Sequence, residues 1–330
     1  MRGGGYVLDL GRDDALAIAF GLLGDEWNLW ILAQALRGAR RYSDWAGRGK
    51  ISNSVLTGRL GRLTDAGLLD RVVFPLHPAR PEYVLTDRGR AVWPILVAMW
   101  WWEREWAPEG SAGASGMRHV DCGAEFAPVL VCGRCREPAG LDDVIATPAP
   151  SGGGSDGSRR TPAAASRRRP GGVRRRAQLP HTMELVGDRW SAVLLGAASF
   201  GATRFGVFAE WTGAPSAVLA DRLRVFTELG VLSEHPAPEH QRRVTYHLTR
   251  KGREFFPVVA TMIEWGRWWF GVPDGGSLSI GHRGCAGPFS PRLVCSHCSG
   301  PLQAGCLHRP GQVTDEHREP PVHEVEVARG

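Results

Sequence analysis

His119, Cys122, Cys132 and Cys135 stand in the spacing H-x2-C-x9-C-x2-C, and the same spacing returns 163 positions further on as His282, Cys285, Cys295 and Cys298. Two close ligand pairs joined by a short loop suit a tetrahedral zinc ion, because thiolate and imidazole both neutralise and fix it. Four protein ligands leave no open position for water, so a structural zinc is expected in each copy. The doubled motif accounts for six of the seven cysteines. In a cytosolic chain that usage points to metal or redox chemistry rather than to disulfides. Reduced cysteines in a small ordered appendage, or a thiol switch that responds to oxidants, remain open as alternatives. Cys306 is left over, with His297 and His308 as spare ligands nearby. His297 has no counterpart in the first set, where Arg134 stands.

The segments ahead of each set repeat at the same offset. Residues 55–63 read Val-Leu-Thr-Gly-Arg-Leu-Gly-Arg-Leu, followed by Gly67-Leu68-Leu69 and, after a Pro-rich stretch, Tyr83-Val84-Leu85-Thr86-Asp87-Arg88-Gly89. Their counterparts are Val218-Leu219-Ala220-Asp221-Arg222-Leu223, Gly230-Val231-Leu232 and Tyr246-His247-Leu248-Thr249-Arg250-Lys251-Gly252. A repeat of this length in a chain of 330 residues predicts two domains.

Within the first copy, residues 15–37 carry two helical patterns separated by Gly24-Asp25-Glu26, with Trp27, Leu29, Trp30, Ile31, Leu32, Ala35 and Leu36 facing the core. Residues 41–46 form a short helix with Tyr42 and Trp45 inward, and Gly47 and Gly49 make a turn. A second helix starts near Ser52, which Ser52, Asn53 or Ser54 could cap, and buries Leu56, Leu60 and Leu63. Residues 69–76 and 82–85 form a two-stranded wing with Arg80 at its tip. Thr86 caps the next helix, read as continuing through Trp93 to Trp106. Its Trp100-Trp101-Trp102 run, matched by Trp265, Trp268 and Trp269 in the second copy, offers apolar surface for a partner as well as for a core; the alternative is that these tryptophans only finish each domain's own core.

The fold class is therefore α+β and mainly helical: two tandem winged helix-turn-helix domains, each with a small C-terminal zinc-binding appendage that offers one histidine and three cysteines. The boundaries expected are 8–108, 117–144, 179–272 and 280–306 for domains and appendages, 145–178 for a linker and 307–330 for a tail. Short polar and long basic side chains on the second helix of the turn can meet base edges or phosphates. The candidate DNA contacts are Ser52, Asn53, Ser54, Thr57, Arg59, Arg62 and Arg80 in the first copy, and Ser216, Arg222, Arg224, Arg242 and Arg243 in the second. A salt bridge beside the leucine stripe is the alternative reading of Arg59.

The net charge of +6 does not describe the folded halves. Eight arginines against the single acid Asp156 give residues 145–178 a charge of +7, leaving −1 elsewhere. That segment is rich in Pro, Gly, Ser and Ala without hydrophobic periodicity and is expected to be disordered. Its arginines either bind phosphates without sequence preference or serve a plain tether. No secretion signal opens the chain, and residues 91–102 are too short an apolar run for a membrane span. A cytoplasmic, nucleoid-associated protein is expected, with no membrane partner.

Gly24, Asp25 and Trp27, the Val-Leu-Thr-x-Arg-Leu helix, the Tyr-x-Leu-Thr-x-x-Gly strand end and Pro94 together resemble the HxlR family of bacterial winged-helix transcription regulators. Gly187-Asp188-Arg189-Trp190, Leu219, Arg222, Leu223, Tyr246, Leu248, Thr249, Gly252 and Pro257 carry the resemblance in the second copy. It implies a reading helix in the major groove of double-stranded DNA, a wing beside it, and terminal helices that form a two-fold dimer. Some family members sense through a cysteine near the start of the first helix. Neither copy has one, a departure from that sensing mechanism.

The chain also departs from the family by carrying two copies. The second has Asp221 where the first has Gly58, with Glu234 and Glu239 flanking its wing, so it is expected to read DNA weakly or to serve mainly in dimerisation. The expected function is a sequence-specific transcriptional regulator, with repression as the expected direction although no pattern encodes it. The Trp-rich helices would form an internal pseudo-dimer or a homodimer. The alternative is a protein-interaction or metal- or redox-sensing module that has lost specific DNA reading. No nucleophile–base pair, phosphate loop or open metal site points to an enzyme. No pattern names an effector or an operator.

Overall fold

The computed structural model describes residues 15–73, 81–106, 117–148, 179–237, 240–271, 278–304 and 307–308. The first repeat begins with α1 (Ala15–Leu23) and α2 (Glu26–Leu36), followed by α3 (Tyr42–Arg48) and α4 (Asn53–Asp65). Strands β1 (Leu69–Val73) and β2 (Pro81–Leu85) then pair antiparallel, Leu69 opposite Leu85 and Val73 opposite Pro81. A bridge from Arg41 to Glu82 and a bond from Tyr83 N–H to the Arg40 carbonyl (2.7 Å) tie the start of α3 to this wing.

The caps explain the helix starts. Asp25 accepts from the N–H groups of Trp27 and Asn28 at the start of α2, and the Ser52 hydroxyl accepts from Val55 N–H at the start of α4. Such a cap satisfies amides that have no partner inside the helix. Leu56, Leu60 and Leu63 are fully buried. Each contributes roughly 1.5–3 kcal/mol relative to leaving it in water, which fixes the roll of α4 and so its outer face.

The helix expected to run unbroken from Thr86 to Trp106 is two helices, α5 (Asp87–Arg90) and α6 (Trp93–Trp106). Thr86 caps the first, its hydroxyl accepting from Gly89 N–H. Pro94 explains the break, because proline donates no backbone hydrogen bond and its ring crowds the carbonyl four residues earlier.

After α6 come β3 (Arg118–His119), β4 (Pro128–Cys132), the 3-10 turn at Leu141–Asp143 and β5 (Val144–Pro148). The second repeat follows the same order. Its helices are α7 (Pro180–Val186), α8 (Arg189–Ser199), α9 (Phe205–Thr212) and α10 (Ser216–Glu228). Its wing is β6 (Leu232–Ala237) and β7 (His240–Leu248), and α11 (Arg250–Arg253) and α12 (Phe256–Phe270) follow. The appendage strands are β8 (Leu278–His282), β9 (Gly287–Pro288), β10 (Pro291–Cys295) and β11 (Leu307–His308).

The two repeats share one hydrophobic core, to which α1, α2, α4, α6, α8, α10 and α12 all contribute. Contacts across it are reciprocal, as a two-fold relation between repeats requires. Trp102 Nε1 donates to the Lys251 carbonyl and Trp265 Nε1 to the Arg88 carbonyl, both at 3.0 Å. These are equivalent residues in equivalent roles. Helix α1 packs on α12, and α7 on α6. Gly24 lies so close to the end of α7 that a Cβ there would sit 2.5 Å from the carbonyl oxygens of both Phe20 and Val186. Not every contact between the repeats has a mirror image. Glu103 is fully buried and accepts from N–H and Nδ1 of His181 and from N–H and Oγ1 of Thr182, at 2.7–3.0 Å. Its counterpart is Gly266.

The appendages differ most from expectation. Their principal strands pair between repeats rather than within them. β4 pairs with β10 about Leu130 opposite Leu293, β5 with β8, and β11 with β3. The expected boundaries therefore shift. Residues 145–148, read as linker, form most of β5, and Leu307 and His308, read as tail, form β11. Short polar-flanked strands show no local signal when the partner that stabilises them lies in the other repeat. A second small core, with Val97, Phe126, Leu130, Ile263, Phe289 and Leu293 among its members, lies beneath these strands. Residues 149–178 and 309–330, and with them the disorder expected there, lie outside the described residues.

Candidate nucleic-acid interface and metal centres

On α4 the outward residues are Ser52, Asn53, Ser54, Thr57, Gly58 and Gly61, all exposed. Tyr42 Oη donates to Asn53 Oδ1 (3.1 Å), and the hydroxyls of Ser52 and Ser54 are 3.3 Å apart. This is a face of small polar groups with nothing within 4 Å of a Cβ placed on Gly58 or Gly61. Arg62 is half-buried on the same helix. Arg80 lies outside the described residues.

Arg59, a candidate DNA contact, is partly buried and held by an ion pair. Its Nη2 is 2.7 Å and its Nε 3.1 Å from the carboxylate of Asp25, the residue that caps α2. The second repeat does the same with equivalent residues: Arg222 Nε lies 3.4 Å from Asp188, which caps α8. In each repeat the arginine ties the second helix of the helix-turn-helix, α4 or α10, to the start of the helix two before it, α2 or α8. The salt-bridge reading of Arg59 thus describes its observed contacts.

The equivalent helix of the second repeat, α10, exposes Ser216, Ala217, Ala220 and Arg224. Arg224 bonds both Asp221 (2.9 Å) and Glu228 (2.6 Å), and these acids hold its guanidinium even more firmly protonated than usual. Two carboxylates beside the one exposed cation leave little net positive charge for phosphate. On the wing, Arg243 and Glu234 are both exposed; the side chain of Arg242 and all of Glu239 lie outside the described residues.

The eight His and Cys residues form two groups in which one ligand atom from each of four residues lies within 4.8 Å of the others. Either group could hold a metal ion. The membership corrects the expectation from spacing. His119 and Cys122 join Cys295 and Cys298, while Cys132 and Cys135 join His282 and Cys285. Each group takes an H-x2-C pair from one repeat and a C-x2-C pair from the other, since β4–β10 pairing brings opposite halves together. Cys306 is outside the described residues, and His297 joins neither group.

Local geometry shapes all four pairs alike. The residue after each second ligand, Gly123, Arg136, Ala286 or Ser299, takes a left-handed backbone with φ of 50–68°. Three of these are not glycine, in a region that costs most L-residues energy. Both histidines present Nδ1 to a thiol: His119 at 3.5 Å from Cys122 Sγ and 3.3 Å from Cys298 Sγ, and His282 at 3.4 Å from Cys135 Sγ. Nε2 of His119 faces the Asp121 carboxylate at 3.4 Å. Burial opposes ionisation of Cys132 and Cys295. Backbone N–H groups, of Cys135, Arg134 and Ser290 for the first and of Cys298 and His297 for the second, outweigh it and lower both thiol pKa values.

A helix-turn-helix with a wing, built twice around one core, defines a winged-helix DNA-binding protein. The family description that matches is HxlR-like helix-turn-helix, over residues 22–111 and 185–273. These regions make up more than half of the chain, and the chain belongs to that family. It is similar to an uncharacterized HTH-type transcriptional regulator of Mycobacterium tuberculosis, 36% identical over 122 residues, which are 37% of this chain and 77% of that protein. It is also similar to the Bacillus subtilis regulators YvaP, 39% identical over 27% of this chain and 82% of that one, and YodB, 30% identical over 28% and 83%. A solved structure, PA1607, aligns at 32% identity over 41% of this chain and 91% of its own, with a TM-score of 0.35. The matching family and the three sequence relatives are HTH-type transcriptional regulators rather than enzymes. Among the described residues no helix is long and apolar enough to cross a membrane.

Proposed function

We propose that this chain is a sequence-specific regulator that binds double-stranded DNA as an internal dimer, its first repeat reading bases and its second contributing mainly position. The outer face of α4 carries this reading. Ser54 and Thr57 can hydrogen-bond base edges, while Gly58 and Gly61 let the helix backbone approach the groove floor. Ser52 and Asn53 lie where a helix N-terminus meets phosphate, and Arg62 and Arg80 would supply charge. Ser216 and Arg243 are the corresponding contacts of the second repeat. Arg224 is a poor one, because Asp221 and Glu228 already occupy it.

Repression follows from simple occupancy of a promoter, in the cytoplasm at the nucleoid. Zinc is the metal that suits a closed set of three thiolates and one imidazole, and its role in both groups is structural. The test is competition gel shift against a selected site. Thr57→Ala should cost roughly tenfold against the preferred site, in line with about 1–3 kcal/mol per base contact, and little against mismatched DNA. Equal losses on both sequences would refute base reading by this face.

A further inference from the structure

We infer that the two metal groups are crossed staples. One zinc joins His119 and Cys122 of the first repeat to Cys295 and Cys298 of the second, and the other joins Cys132 and Cys135 to His282 and Cys285. The inference rests on the zinc reading above and adds to it the partition of ligands and its consequence. Zinc–sulfur bonds of about 2.3 Å and zinc–nitrogen bonds of about 2.0 Å in a tetrahedron set ligand atoms roughly 3.5–3.8 Å apart. The contacts fit that figure: Cys122 Sγ to Cys295 Sγ is 3.9 Å, and the histidine-to-thiol distances are 3.3–3.5 Å.

The crossing is built into the sheet. β10 runs antiparallel to β4, with Cys295 opposite Pro128 and Cys132 opposite Pro291, so the two C-x2-C turns stand at opposite ends of the paired strands. β8 pairs with β5 and β3 with β11, which places each H-x2-C turn beside the other repeat's C-x2-C turn. Phe126 packs edge-on against His119, and Phe289 stacks on His282, giving each imidazole an apolar wall.

A site within one repeat would stabilise only its own appendage. A crossed site makes each ion a bond between repeats, so zinc occupancy determines how firmly the two reading helices are held at one spacing. Removing the metal leaves the shared helical core in place but releases β4 from β10. The paired DNA site would then lose more affinity than a single half-site.

Zinc counting by native mass spectrometry on the full chain tests the partition directly. Wild type should carry two ions. Cys122→Ser/Cys298→Ser removes two ligands from one crossed group and should leave one ion. Cys122→Ser/Cys135→Ser damages both groups and should leave none. The reverse pattern would show sites closed within each repeat and overturn the inference, as would loss of both ions in both variants. A wild-type protein that binds no zinc would instead defeat the zinc reading itself.

Cadmium-113 correlation spectra of the wild-type chain supply a measurement that needs no variant. One cadmium resonance should couple to the β-protons of Cys122, Cys295 and Cys298 together. Coupling of one resonance to Cys122, Cys132 and Cys135 would contradict the crossing.

Discussion

Glu103→Gln tests how the repeats are joined. Glu103 is buried in α6, and four donors from the first turn of α7 converge on its two oxygens. Glutamine keeps the shape but turns one acceptor into a donor that faces the N–H or hydroxyl groups of His181 and Thr182. Hydrogen bonds to a charged group are worth roughly 1.5–3 kcal/mol each, and a buried donor left unpaired costs about 1–3 kcal/mol. Some relaxation is available because the His181 side chain is 22% exposed. A net loss of about 2–4 kcal/mol follows, equivalent to a fall in Tm of roughly 5–10 °C.

The pH dependence adds a second signature. Burial raises the pKa of Glu103, but hydrogen bonds from His181 and Thr182 outweigh it and hold the carboxyl below its ordinary value of 4.5. A carboxyl depressed in the folded state contributes stability above its unfolded pKa and loses it as pH falls through the folded one. Wild type should therefore lose stability more steeply than Glu103→Gln as pH drops below about 4.5, so the two curves converge in acid. Differential scanning calorimetry from pH 3 to 7 measures both. A loss under about 0.5 kcal/mol at pH 7, or parallel pH curves, would show that this cluster does not join the repeats.

The remaining predictions concern the reading helices and the seam. Gly58→Asp copies Asp221 into the first repeat with open space around its Cβ. It should lower DNA affinity at least tenfold, as measured by fluorescence anisotropy, with a Tm change of no more than a few degrees. Asp221→Gly should raise affinity and steepen the salt dependence, and no change in either would remove the explanation for a weak second repeat. Arg59→Ala should lower stability by about 1 kcal/mol through loss of its partly buried bond to Asp25, while the salt slope of binding stays the same. A slope reduced by about one would make Arg59 a phosphate contact. Gly24→Ala brings a methyl against the Phe20 and Val186 carbonyls. It should destabilise the chain by at least about 2 kcal/mol in urea unfolding, and a neutral result would mean the repeats pack more loosely there.

Much of this was readable in the sequence, because the signals are local. The Leu56-x3-Leu60-x2-Leu63 stripe, matched by Leu219-x3-Leu223-x2-Phe226, the Ser52 and Thr86 caps and the eight His and Cys ligands all declare themselves within a few residues. What was hidden depends on the other repeat. The spacing H-x2-C-x9-C-x2-C is the same whether its halves close on each other or on a neighbour, so pairing could not be chosen from it. Residues 145–148 and 307–308 look like the edges of a linker and a tail because their strand partners lie more than a hundred residues away. Arg59 reads as a DNA contact until Asp25, in an earlier helix, is placed beside it. The α5–α6 break had a local sign in Pro94, but the apolar run through Trp93 to Trp102 masked it. Glu103 stands amid tryptophans with no sequence signal of the α7 amides that bind it.

Selection of random double-stranded DNA by the purified, zinc-loaded full chain tests the central claim most directly. An enriched site is expected with two half-sites about one helical turn apart, one strongly specified and the other weakly, whose binding falls steeply with salt. Absence of any enriched sequence, with salt-sensitive binding that vanishes when residues 149–178 are deleted, would contradict it.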